Sequence, residues 1–209
     1  MTKAIDICSA ARWSGLCRRL GIDTDIETYQ ALLSAHAQPH RAYHTLDHIA
    51  ACLRHLDDVR DLAERPDEIE MALWFHDAIY EPYSSTNEDD SAEWAADWLQ
   101  DMGSAKEVFS RIADYILATK THDAPTSIDG RLMLDIDWSI LGARPSVYDA
   151  FELNIRREYT RVPGFIFRKK RKAILEGFLA RKRLYGSDYF FDTLEAPARI
   201  NLLRAISIL

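Results

Sequence analysis

A chain of 209 residues with 47% hydrophobic side chains is long enough to bury one substantial core, and a single domain is expected. Its 33 acidic and 26 basic residues give a net charge of −7, and RKKRK at 168–172 is the one concentrated basic run, which argues against a nucleic-acid polymer as partner. Three cysteines (Cys8, Cys17, Cys52) without CxxC spacing argue against a disulfide framework or a structural zinc module. No secretory signal opens the sequence and no apolar run approaches the roughly 20 residues needed to cross a bilayer, so the expectation is a cytoplasmic protein with no membrane partner.

Helical periodicity dominates and β-branched alternation is nearly absent, so the expected fold is an all-α, single-domain bundle of roughly eight or nine helices. IETYQALLSAH (26–36) is amphipathic. TLDHIAACLRHLDDVRDLAE (45–64) places Leu46, Ile49, Leu53, Leu56 and Val59 at three- and four-residue steps, with Thr45 as N-cap. Pro66 begins the next helix, expected to run through WFHDAIY to about Tyr80. EPYSSTNEDD (81–90) reads as a polar loop, after which Thr86 or Asn87 caps SAEWAADWLQDMG, which stops at Gly103. AKEVFSRIADYILATK (105–120) and RLMLDIDWSILG (131–142) follow as helices. Pro145 and Pro163 open two more, the second carrying the basic run to about Tyr185, and APARINLLRAISIL closes the chain.

Three of these helices carry metal-ligating side chains. His44 and His48 lie four residues apart at the start of one, His76-Asp77 sits in an apolar setting on the next, and Asp135 and Asp137 come from a much later one. Mixed imidazole and carboxylate ligands suit divalent cations, and a water on such an ion becomes a nucleophile near neutral pH. Neighbouring helical side chains diverge by about 100°, so His76 and Asp77 reach one ion only if it lies against the helix edge between them. Burial of a charged pair beside Trp74 and Phe75 is costly unless the pair is matched or bound to metal.

The motifs RAYHTLDHI, WFHDAIYEP, NEDDSA, LATKTH, DIDWSILG, IRREY and ARINLL, in that order from about residue 25 to the C-terminus, resemble the HD superfamily of metal-dependent phosphohydrolases. More narrowly they resemble a bacterial subgroup of predicted metal-dependent HD phosphohydrolases. The resemblance implies one divalent metal ion (Mn, Fe, Ni, Zn, Co or Mg) on His48, His76, Asp77 and Asp137, with Asp135 as competitor for the last position. It implies hydrolysis of a phosphomonoester or pyrophosphate bond of a small, nucleotide-like substrate, and leaves a homodimer open.

Around that metal, Glu88 is a candidate general base and Asp77 a catalytic ligand. Arg41, His44 and His122 are candidate substrate contacts, Arg41 through a bidentate pairing with phosphate. Each has a plainer alternative: helix capping for Glu88, a surface ion pair for Arg41, a solvent-exposed loop for His122. Arg156, Tyr159, Lys169, Arg171, Arg199 and Asn201 read as structural, and Trp74, Trp94, Trp98 and Trp138 as core. A metal-containing nucleotide-binding scaffold without turnover is the alternative function. A diiron oxygenase would need further ligands, which His44, His122 and Asp135 could supply. No Gly-rich phosphate loop, GxSxG elbow or Rossmann fingerprint appears.

Overall fold

The helix from Pro66 is buried on every side from Glu68 to Phe75, a pattern that fits only a helix at the centre of a bundle. The structure, a computed structural model, describes residues 2–121 and 127–209. Its elements are α1 (Thr2–Ile7), α2 (Ala10–Arg19), α3 (Ile26–His36), α4 (Leu46–Val59), α5 (Pro66–Phe75), α6 (Asn87–Asp101), α7 (Lys106–Thr121), α8 (Ile128–Asp137), α9 (Pro145–Glu158), α10 (Gly164–Ala180) and α11 (Asp188–Ile208). Short 3-10 turns follow α4 (Arg60–Leu62) and α8 (Trp138–Gly142), and no strand occurs among the described residues. The fold is all-α. Helices α1 and α2 precede the first helix that the sequence reading placed.

Central α5 is covered by α4, α7 and α8, with α6 and α2 completing its surround. Two of the three acidic side chains on this helix are buried, and each is matched: Glu68 by Arg111 in a two-point pairing, Glu70 by Arg12, Arg19 and Arg60. The apolar stripe of α4 packs as its spacing predicts, with Ile49, Leu53, Leu56 and Val59 buried. In the same core Trp13 meets Trp74 edge to face and Phe75 stacks on Trp98, and the three cysteines are buried and free of disulfides.

Several boundaries have readable causes. Asp25 caps α3 through the amides of Glu27 and Thr28, and its other oxygen accepts the Trp98 indole from α6. Gly103 ends α6 at φ +78°, which lets Ser104 N–H reach Leu99 O. Thr45 and Thr86 hold the expected N-cap positions of α4 and α6 without a side-chain capping bond. Others depart from expectation. Helix α5 ends at Phe75, not near Tyr80, and α8 ends at Asp137, giving way to the 3-10 turn. Helix α11 begins at Asp188 and runs through Pro197, where the sequence reading began a helix only just before that proline. No helix among the described residues is long and apolar enough to cross a membrane.

Candidate metal centre

His48 comes from the first turn of α4, His76 from the residue that ends α5, Asp77 from the turn after it, and Asp137 from the last position of α8. The early end of α5 matters here. His76 keeps helical angles and the bond to Ala72 O, the chain then tightens as Ala78 N–H bonds to Phe75 O, and the tips of the His76 and Asp77 side chains meet. Asp77 Oδ2 lies 3.1 Å from His76 Nε2 and 3.5 Å from His48 Nε2. Asp137 Oδ1 lies 3.2 Å from His48 Nε2 and 3.6 Å from His76 Nε2, and the two Nε2 atoms are 3.2 Å apart.

These distances suit a shared cation. A tetrahedral ion with metal–N and metal–O bonds of about 2.0–2.2 Å has ligand-to-ligand edges of about 3.3–3.6 Å. His76 Nδ1 donates to Leu73 O at 2.9 Å, so in the neutral ring the lone pair is on Nε2 and faces the cluster. Two imidazole nitrogens and two carboxylates this close repel unless a proton or a metal lies between them. The buried group His48, His76 and Asp137 could hold a metal ion.

The electrostatics carry the same message. Burial would raise the Asp77 carboxyl, yet the imidazoles of His76, His44 and His48 hold it well below the usual carboxylate range. Asp137 is lowered against burial by hydrogen bonds from His48 and His76. Burial works against a charged His76, but Asp77 and Asp137 outweigh it and push that imidazole well above its ordinary value.

Asp135 faces elsewhere. It is buried, and its carboxylate accepts from Gly186 N–H, Ser187 N–H and the Ser187 hydroxyl at 2.6–2.7 Å, fastening the start of α11. The two aspartates, two residues apart on one helix, point to different partners. Arg41 is buried, and its guanidinium donates to the backbone oxygens of His44, Asp77 and Ala78. It caps carbonyls just past α5 and so fixes the turn that carries Asp77, and it is absent from the cavity lining. His122 lies outside the described residues.

A cavity of about 590 Å³ opens over the cluster, with His44, His76, Asp77, Glu88 and Asp137 on its wall. Glu88, in the first turn of α6, has no hydrogen bond or ion pair among the described residues. His44 is oriented by Glu158: its Nδ1 lies 2.8 Å from Glu158 Oε2 and its ring stacks on Tyr80, whose hydroxyl donates to the same oxygen. Glu158 Oε1 also accepts the amides of Ala42, Tyr43 and His44. Burial would raise Glu158, but His44 and these amides bring it down to about 2. Burial likewise opposes a charged His44, and Asp77 and Glu158 together raise it.

Glu158 is the residue that sequence reasoning missed. A signal existed: Tyr148, Phe151, Ile155 and Glu158 share the buried stripe of α9 at three- and four-residue steps, and an acid on a buried stripe needs a partner. Of the basic candidates, Arg171 pairs with Glu152 at two points, Arg156 donates to Tyr159 O and Val162 O, and Arg199 pairs with Glu195. Asn201 donates to Leu141 O and Ala143 O. No family model, curated protein or solved structure matches the chain.

Proposed function

We propose that the chain is a metal-dependent phosphohydrolase of the HD type, cleaving a phosphomonoester or pyrophosphate bond of a small phosphorylated substrate. The observation that carries this reading is the convergence of two imidazole nitrogens and two carboxylate oxygens at 3.1–3.6 Å, with His76, Asp77 and Asp137 on the wall of one cavity and His48 buried beside them. His48, His76, Asp77 and Asp137 would hold the ion, and mixed nitrogen and oxygen donors suit Mn²⁺, Fe²⁺, Co²⁺, Ni²⁺ or Zn²⁺ better than Mg²⁺. When bound, such an ion supplies an acidified water and neutralises charge on a phosphoryl oxygen.

The chain's own groups supply the rest. His44, with Nδ1 fixed on Glu158, has Nε2 available to donate to a phosphate oxygen or a leaving oxygen. Glu88 on the same cavity wall has no hydrogen bond or ion pair among the described residues, and its carboxylate is suited to accept a proton from water. Arg41 serves by holding the Asp77 turn, not by touching substrate.

Metal content by mass spectrometry of wild type and His76→Ala, followed by phosphate release from a panel of esters and pyrophosphates with the bound metal, tests the reading. One transition metal per chain in wild type, lost in the variant, with turnover that falls at least a hundredfold in Glu88→Gln, is the expected result. Metal retained with no turnover of any ester would leave a binding scaffold. No metal in either protein after reconstitution would remove the reading altogether.

A further inference from the structure

We propose that the substrate's organic part is an apolar alkyl or aryl group, seated against α9, α10 and the 3-10 turn that follows Asp137. This deepens the phosphohydrolase reading and rests on it for the chemistry at the metal cluster. Away from that cluster the cavity wall is built from Ile140, Leu141, Phe151, Ile155, Phe167 and Ile174. Apolar lining alone is common to ligand pockets, so the deciding observation is the state of the polar side chains among them.

The amide, guanidinium and small hydroxyl groups among them, those of Asn87, Arg171, Thr119 and Ser84, already have partners inside the protein. The amide group of Asn87 is bonded at both ends, accepting Glu81 N–H and donating to Glu81 O. Thr119 donates to Ile116 O, and Ser84 is bonded to Thr86. The Arg171 guanidinium donates to Glu152 through Nε and Nη2, and the group stacks over Phe151. Amide and guanidinium groups are the usual readers of a nucleobase edge, and the two on this wall are engaged. A base or sugar placed there would leave its own polar atoms unpaired, which is costly, whereas an alkyl chain or aryl ring would not. Lys170 is the one lining cation without an ion pair among the described residues, and its charge would draw an anionic ester towards the cavity.

The test is calorimetric binding of straight-chain alkylphosphonates, methyl to hexyl, to the chain in the presence of Mn²⁺, beside adenosine and uridine monophosphates. Affinity is expected to rise with chain length, by up to about fourfold per methylene at full burial, with the hexyl compound binding more tightly than either nucleotide. Ile174 is half exposed on α10, so its replacement leaves the fold intact. Ile174→Asp should flatten the series and Ile174→Met should preserve it. A flat series in wild type, or a nucleotide that outcompetes the hexyl compound, overturns the proposal. Turnover of the matching alkyl phosphates is read separately. A rising affinity series without turnover would strike the hydrolase reading and keep the apolar ligand class, and turnover with a flat series would do the reverse.

Discussion

Asp135 and Asp137 show how little a residue's type says about its role. Both are acids near the end of one apolar helix, and only the partner across space separates them: backbone amides of the α11 start for Asp135, imidazoles for Asp137. That difference sets opposite outcomes for the same substitution. Asp137→Asn should abolish metal binding with little change in melting temperature of the metal-free protein. Asp135→Asn places an amide NH₂ among N–H donors and should cost about 2 kcal/mol of stability while metal content stays at the wild-type level. Metal analysis and chemical denaturation of the pair decide it, and the reverse pattern would make Asp135 the ligand. Glu158 adds a pH dependence with a definite sign. Its folded pKa is brought down to about 2, below the ordinary glutamate value, so its contribution is fully present above about pH 4.5 and is lost as pH falls towards 2. The loss should reach about 2 kcal/mol by pH 3. Glu158→Gln should be less stable than wild type at neutral pH and should show a shallower decline between pH 5 and 3 in thermal melts.

At the scale of elements, punctuation was legible where it is local and illegible where it is tertiary. Pro66 at the start of α5 and Gly103 at the end of α6 act through their own backbone, so the sequence states them. The end of α5 at Phe75 has no such local mark. It is held by Arg41, from the loop before α4, whose guanidinium takes the carbonyls of Asp77 and Ala78. The continuity of α11 through Pro197 has the same character, since packing against the 3-10 turn and α10 outweighs the lost backbone bond. That contact is tight at one place. A Cβ on Gly142 would stand 2.6 Å from Leu194 Cβ and 2.9 Å from Leu194 O, so the glycine allows the turn beyond Asp137 to rest on the α11 backbone. Gly142→Ala should therefore force α11 or the turn to shift, at about 2 kcal/mol. Melting should fall by about 4–8 °C. An unchanged melting temperature would mean that this contact yields without cost.

Across the whole molecule, the buried carboxylates of Glu68 and Glu70 meet arginines, a second set meets backbone amides, and Asp77 and Asp137 meet imidazoles. Asp129 accepts the amides of Glu64 and Arg65 before α5, Glu195 those of Leu184 and Tyr185, Glu158 those of Ala42 to His44, and Asp135 those of Gly186 and Ser187. These four fasten loops to helices and are internally satisfied. Asp77 and Asp137 have no comparable set of amides among the described residues and lean on two histidines instead, so a cation bound between them would be part of what holds α4, α5 and α8 together. A ligand that binds only the folded chain stabilises it by mass action, by about 4 kcal/mol at a thousandfold excess over Kd. Mn²⁺ should accordingly raise the melting temperature by about 10 °C over chelator-treated protein. The surface also carries a net charge of −7, and divalent cations screen it in any variant. The difference between wild type and His76→Ala removes that common contribution. Stabilisation by Mn²⁺ that is equal in the two proteins would place the effect on the acidic surface, and stabilisation confined to wild type would place it at the junction of the three helices.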